Sequence, residues 1–158
     1  AAEAGYVHDW EINPPLGRRG ETIPAHSIGT IEEIAHRPAV KLLAKDREAD
    51  VDDFLTSAEL LLAGRASVTH SSRFGLLEIA APGITKASGL AELAARHDIA
   101  AAQVVAIGDM PNDVPMLLWA GTSYAVGNGH PRAKQAADHI VGTNEDDAGA
   151  IALEALLA

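Results

Sequence analysis

Two carboxylates and a carboxamide follow an apolar run in the second half of the chain. The run at 104–107 predicts a buried strand, and Asp109, Asn112 and Asp113 lie between its end and the first turn of the next predicted helix. Ligands of open α/β sheets bind at the carboxyl ends of strands, and a helix N-terminus favours an anion. Because carboxylate oxygens suit a hard cation, the stretch predicts a site for Mg²⁺ beside a phosphate. A helix cap is the alternative interpretation of Asn112 or Asp113 taken alone.

A lysine stands at the start of the preceding predicted helix. Residues 83–90 place Lys86 in the first turn of a helix at 86–97, where a cation opposes the helix dipole and gains nothing locally. A phosphate, or the carboxylate that attacks it, would explain a cation at this position. The alternative is an ordinary solvated lysine.

The order of predicted elements divides the chain into two parts. In the first part we predict helices and strands of an α+β region: helices at 27–35 and 51–63, strands at 39–43, 66–70 and 76–80. In the second part helices and strands alternate: helices at 86–97, 112–120, 131–137 and 149–157, strands at 104–107, 123–126 and 139–141. Alternation is typical of a parallel, doubly wound sheet, so we predict an α/β protein divided into 1–82 and 83–158.

The composition limits the classes of partner. The 22 acidic and 12 basic residues among 158 leave a formal charge of −10, which opposes loose binding to nucleic acid or anionic lipid. Cysteine is absent, which excludes disulfides and thiolate metal sites. Without a signal-like segment or an 18-residue apolar span, we expect a cytoplasmic protein with neither a nucleic-acid nor a membrane partner.

Together these motifs resemble the haloacid dehalogenase superfamily, and in particular its Cof-type sugar-phosphate phosphatases. The segments that carry the resemblance occur in the family's order: 77–79, 83–90, 107–109 with Asn112 and Asp113, 125–128 and 136–138. The resemblance implies the C-terminal half of a Rossmann-like core with a parallel sheet, preceded by part of a C2-type α+β cap.

The resemblance also implies roles for individual residues. Lys86 would pair with the family's nucleophilic aspartate and with the phosphoryl oxygens, and Asp109 would bind Mg²⁺. Asp113 would support the metal directly or through water, while Asn112 would contact the phosphate or order the loop. The implied activity is Mg²⁺-dependent hydrolysis of a small phosphorylated metabolite, such as a sugar phosphate, through an aspartyl phosphate.

Two asparagines are candidates for the edge of this site. Asn128 lies between two glycines after a predicted strand, and a plain turn is the alternative interpretation. Asn144 opens the segment that matches the family's Asn-x-x-Asp-Gly-Val, with the glycine shifted by one residue, which leaves its role open.

The nucleophilic Asp-x-Asp-Gly-Thr motif of the family has no match in the sequence. The segment 50–52 has the Asp-x-Asp spacing, but Asp53-Phe54 follows it, so we predict the polar start of a helix. We therefore expect one piece of a longer protein, inactive alone, whose partner is the missing N-terminal half or a second copy. A non-catalytic phosphate- or metal-binding module and a phosphomutase of the same fold are alternatives.

The histidines have no spacing typical of a zinc site. They show neither i, i+4 pairs nor clusters along the chain, and we interpret them as surface or packing residues. The seven are His8, His26, His36, His70, His97, His130 and His139.

Overall fold

The computed structural model describes residue 32 and residues 39–46, 48–72 and 75–157. Val40–Ala158 forms one compact unit. The helix predicted at 27–35 lies outside the described residues except for Glu32, and the boundary predicted between 82 and 83 falls within this unit and stays a prediction. None of the described helices is long and apolar enough to cross a bilayer.

An antiparallel sheet occupies the first part of the unit. Its strands are β1 (Leu42–Lys45), β2 (Ser67–Thr69) and β3 (Leu76–Ala80), in the order β1–β3–β2. β3 pairs antiparallel with both neighbours. The antiparallel pair predicted after residue 65 is therefore confirmed, while the first strand begins three residues later than predicted.

Helix α1 (Val51–Leu62) packs against this sheet. Asp50 caps the helix, because its carboxylate accepts a hydrogen bond from the backbone N–H of Asp52 at 2.9 Å. Leu55 is buried against Leu77 of β3. The prediction that Asp50 begins a helix is confirmed, since its carboxylate is engaged by the helix N-terminus.

A parallel sheet with helices follows. The helices are α2 (Lys86–Arg96), α3 (Val114–Trp119), α4 (Pro131–Ala136) and α5 (Ala148–Leu157), and the strands are β4 (Val105–Gly108), β5 (Thr122–Val126) and β6 (His139–Val141). The strand order is β4–β5–β6, and both pairings are parallel. The predicted α/β fold with a parallel sheet is confirmed. Parallel pairing brings the carboxyl ends of β4 and β5 to the same edge of the sheet.

Small residues allow α3 and α4 to lie close to this sheet. Ala106 of β4, Leu117 of α3 and Ala133 of α4 form one buried cluster. Leu117 is 1% exposed and is the largest of the three side chains. Its packing on β4 holds the start of α3 next to the carboxyl end of that strand.

Candidate active site

The Asp113 carboxylate holds the loop between β4 and α3. A 3₁₀ turn spans Pro111–Asp113, and the α-helix begins at Val114, two residues later than predicted. Asp113 is 3% exposed, and its Oδ2 accepts hydrogen bonds from the backbone N–H groups of Asp109 and Met110, each at 3.0 Å. The side chain thus folds back over the end of β4 and fixes the backbone that carries Asp109.

Gly108, the last residue of β4, leaves room for that side chain. A Cβ atom at this position would lie 2.6 Å from Cβ of Asp113, so Gly108→Ala must displace one of the two residues. We expect the substitution to lower the free energy of unfolding by about 1–3 kcal/mol, measured by urea denaturation.

Gly89 provides a matched control for this substitution. It lies within α2, and an added Cβ would meet no atom within 4 Å. Gly89→Ala should therefore raise the free energy of unfolding by about 0.5–1 kcal/mol, through the helix propensity of alanine. Unchanged stability in Gly108→Ala would contradict the crowding at the end of β4.

A capping box places Lys86 at the first position of α2. The Thr85 hydroxyl accepts from the Ser88 backbone N–H at 3.1 Å, and the Ser88 hydroxyl accepts from the Thr85 backbone N–H at 3.0 Å. Lys86 Nζ donates a hydrogen bond to Oδ1 of Asp113. The Lys86 side chain is 49% exposed, whereas that of Asp113 is 4% exposed. The ammonium group therefore lies over a buried carboxylate with one side open to a ligand.

The two aspartates of the loop have opposite electrostatic environments. Desolvation and the adjacent Asp113 carboxylate raise the pKa of Asp109. Burial opposes ionisation of Asp113, but hydrogen bonds from Lys86 and from backbone N–H groups outweigh it and hold the pKa of Asp113 below its ordinary range. Asp109 thus has a like-charged neighbour whose own oxygens are already engaged, and a cation beside Asp109 would relieve that repulsion.

The oxygen donors at the end of β4 suit Mg²⁺. Asp109 is exposed, and Oδ1 of Asn112 is buried without a hydrogen-bond partner among the described residues. A buried amide oxygen left unpaired is costly unless a ligand satisfies it. A carboxylate and an amide oxygen are the donors that a hard divalent cation prefers, so these residues fit the metal that the resemblance implies.

The loop after β5 lies beside Asp109. The backbone N–H of His130 donates to the Asp109 carbonyl oxygen at 2.7 Å, and a Cβ atom on Gly129 would lie 3.0 Å from that oxygen. Asn128 and Asn144 pair with each other: Nδ2 of Asn128 donates to Oδ1 of Asn144 at 2.5 Å, and the Asn144 backbone N–H donates to Oδ1 of Asn128 at 3.2 Å. The pair therefore joins the β5 loop to the segment after β6.

Glu78 of β3 is a charged residue for which the sequence predicted no role. Its Oε2 lies 2.5 Å from Nζ of Lys41, and its Oε1 accepts from the Ser71 hydroxyl. Burial opposes ionisation, but these hydrogen bonds and the charge of Lys86 hold the pKa of Glu78 below its ordinary range. Glu78 is thus within electrostatic reach of Lys86, which no spacing along the chain indicates.

The chain as a whole matches a known family of proteins. The family described as haloacid dehalogenase-like hydrolase matches residues 13–153. The chain is a member of that family, as its motifs predicted.

Curated relatives of the chain include proteins named as phosphatases. The chain is 37% identical over 125 residues to the 5-amino-6-(5-phospho-D-ribitylamino)uracil phosphatase YitU of Bacillus subtilis, covering 77% of this chain and 45% of that protein. It is 29% identical over 131 residues to a phosphoglycolate phosphatase of Nitrosopumilus maritimus, covering 83% of this chain and 55% of that protein. The chain spans about half the length of these relatives.

Solved structures share the fold. SMU.1108c of Streptococcus mutans matches with a TM-score of 0.69 at 24% identity. The match covers 83% of this chain and 49% of the SMU.1108c chain. The subclass IIB sugar phosphatase BT4131 matches with a TM-score of 0.71 at 19% identity, over 83% of this chain and 48% of the BT4131 chain. A haloacid dehalogenase-like hydrolase of Bacteroides thetaiotaomicron is 31% identical, with a TM-score of 0.58 and coverages of 83% and 50%. The first two likenesses concern the fold alone.

Proposed function

We propose that this chain is the metal- and phosphate-binding part of a Mg²⁺-dependent phosphomonoester phosphatase. The observation that carries the proposal is the link between Lys86 and Asp109 through one buried carboxylate. Asp113 accepts from the Lys86 ammonium group with one oxygen and from the Asp109 backbone N–H with the other. A cation and a candidate metal ligand are thereby held together at the carboxyl end of β4, where α/β sheets bind ligands.

Each residue has a distinct task in this proposal. The exposed side of the Lys86 ammonium group binds a phosphoryl oxygen and opposes the negative charge that spreads over the oxygens in the transition state. Asp109 and Asn112 would hold Mg²⁺, which when bound offsets further phosphoryl charge. Asp113 acts as a positioning residue, because Lys86 and two backbone N–H groups already occupy its carboxylate.

The reaction needs a nucleophile in addition to these groups. In the family the nucleophile is an aspartate of an Asp-x-Asp-Gly-Thr motif, which forms an aspartyl phosphate, and the printed sequence contains no such motif. The lysine that pairs with that aspartate and with the phosphoryl oxygens is Lys86. We propose that the nucleophile reaches the site from a segment outside these 158 residues.

The proposed substrate is a small phosphorylated metabolite. Two relatives are named for phosphoglycolate and for a phosphorylated ribitylaminouracil, both of which are small phosphomonoesters. Asn128 and Asn144 lie on the β5 side of Asp109, where their paired amides form the proposed edge of the site.

The test compares the chain with the complete product of its gene. With p-nitrophenyl phosphate and Mg²⁺, we expect no metal-dependent turnover by the 158-residue chain and turnover by the complete product. Robust turnover by the chain alone would overturn the proposal that the nucleophile comes from a segment outside it. A complete product that lacks both an Asp-x-Asp-Gly-Thr motif and activity would overturn the proposal that the protein is a phosphatase.

A further inference from the structure

Asp52, His70 and His130 form a side-chain cluster that the proposed phosphatase does not use. One ligand atom of each residue lies within 4.8 Å of the others. Nε2 of His70 is 3.2 Å from Oδ1 of Asp52, and Nε2 of His130 is 3.0 Å from Oδ2. We propose that this cluster binds a borderline transition-metal ion of the Zn²⁺ class, at a site separate from that of Mg²⁺.

The donor set and its spacing suit such an ion. Two imidazole nitrogens and one carboxylate are a common set of protein ligands for zinc, with bonds of about 2.0–2.2 Å. Tetrahedral bonds of that length separate ligand atoms by about 3.4 Å. The two nitrogen–oxygen distances, 3.2 and 3.0 Å, run to different oxygens of Asp52, and one ligand atom of each residue lies within 4.8 Å of the others, so the three side chains need to draw closer around an ion. Mg²⁺ prefers an all-oxygen octahedral shell, which this cluster does not offer.

The surroundings of His70 point to a cation on its Nε2. Nδ1 lies 3.0 Å from the carbonyl oxygen of Ser72, which can only accept, so Nδ1 carries a hydrogen. In the neutral ring, Nε2 then presents a lone pair to a carboxylate oxygen of Asp52. Two acceptors at this distance require a proton or a metal ion between them, and an Nδ1–H held by a backbone carbonyl is the usual outer contact of a metal-bound histidine.

The site is rigid on one side and open on the other. His70 and His130 are 0% and 7% exposed, and their rings meet edge to face with centroids 5.5 Å apart. The Asp52 side chain is 50% exposed, which leaves space for a water molecule as the fourth ligand. Binding through Nε2 of His130 moves its hydrogen to Nδ1 and breaks the 3.2 Å contact from the Arg132 backbone N–H.

The three ligands come from separate elements. Asp52 lies in the first turn of α1, His70 follows β2, and His130 caps α4. A metal ion would therefore connect the antiparallel sheet and its helix to the parallel sheet. Metal bound only by the folded chain stabilises it by mass action.

The test is titration of the chelator-treated chain with Zn²⁺ alone, followed by calorimetry and thermal unfolding. We expect one Zn²⁺ bound through this cluster and a rise in Tm of roughly 5–10 °C at about 100-fold excess over Kd. Asp52→Asn should weaken binding at least about tenfold and remove most of the Tm rise. Because Asp52 is half-exposed at a helix start, this variant keeps the fold, which circular dichroism checks; His70→Gln provides a second variant.

Two control variants separate this site from other ligands. His97→Gln changes an exposed histidine outside the cluster, and Asp109→Asn changes the proposed Mg²⁺ site. Both should bind Zn²⁺ as the unaltered chain does. Absence of Zn²⁺ binding, or equal binding by folded Asp52→Asn, would overturn the proposal and leave a cluster held together by hydrogen bonds alone. Neither result bears on phosphatase activity.

Discussion

Lys86→Met is expected to lower kcat for a phosphomonoester by about 10²–10³-fold in the complete gene product. Methionine retains much of the side-chain volume but removes the charge that would oppose the phosphoryl oxygens. The same change removes a donor from Asp113, whose carboxylate holds the loop that carries Asp109. Steady-state kinetics with p-nitrophenyl phosphate at saturating Mg²⁺ measure the loss.

Lys45→Met is the matched control, because Lys45 is an exposed residue of β1 whose side chain makes no hydrogen bond or ion pair with the described residues of the site. Its kcat should stay within twofold of the unaltered enzyme. A second measurement requires no activity: removing Lys86 should raise the pKa of Asp113 in the 158-residue chain, since that pKa is held low by the Lys86 hydrogen bond. Carboxyl NMR titration reports this shift. Full activity in Lys86→Met would remove Lys86 from the proposed mechanism.

Leu117→Ala is expected to lower the free energy of unfolding by about 2–5 kcal/mol. Leu117 is 1% exposed and is clustered with two buried alanines in the parallel-sheet core. Those neighbours are too small to fill the space that the leucine leaves, so most of the cavity should persist. Urea denaturation followed by circular dichroism measures the loss.

The next residue provides the control. Leu118 lies on the same helix but is 68% exposed. Leu118→Ala should change the free energy of unfolding by less than about 0.5 kcal/mol. Equal losses in the two variants would show that α3 is not packed on β4 through Leu117.

Local sequence patterns predicted the elements of the second part well. The strand at 139–141 agrees with β6 to the residue, and α2 ends one residue earlier than predicted. Apolar runs of strand length and helical periodicity depend on residues near in the chain, so they are visible without tertiary contacts. The start of α3 was misplaced, because the 3₁₀ turn before it is held by the Asp113 carboxylate reaching back to the end of β4.

Side-chain partners depended on the fold. Lys86 and Asp113 are 27 residues apart, and neither spacing nor composition shows that one donates to the other. The Asp52, His70 and His130 cluster was missed for the same reason, since its members are 18 and 78 residues from Asp52 along the chain. The sequence predicted packing or surface histidines because it offered no local pair.

The amino-acid sequence alone determined the class of fold, the order of helices and strands in the parallel-sheet part, and the residue types of the proposed phosphate and metal site. Those properties follow from hydrophobic periodicity and from short motifs that are contiguous in the chain. Only the tertiary structure decided that Asp113 engages Lys86 while its other oxygen holds the Asp109 loop, and that two distant histidines converge on Asp52. The crossover connections between strands and the packing of helices on the sheet bring such groups together. Both depend on contacts between residues that are far apart in the sequence.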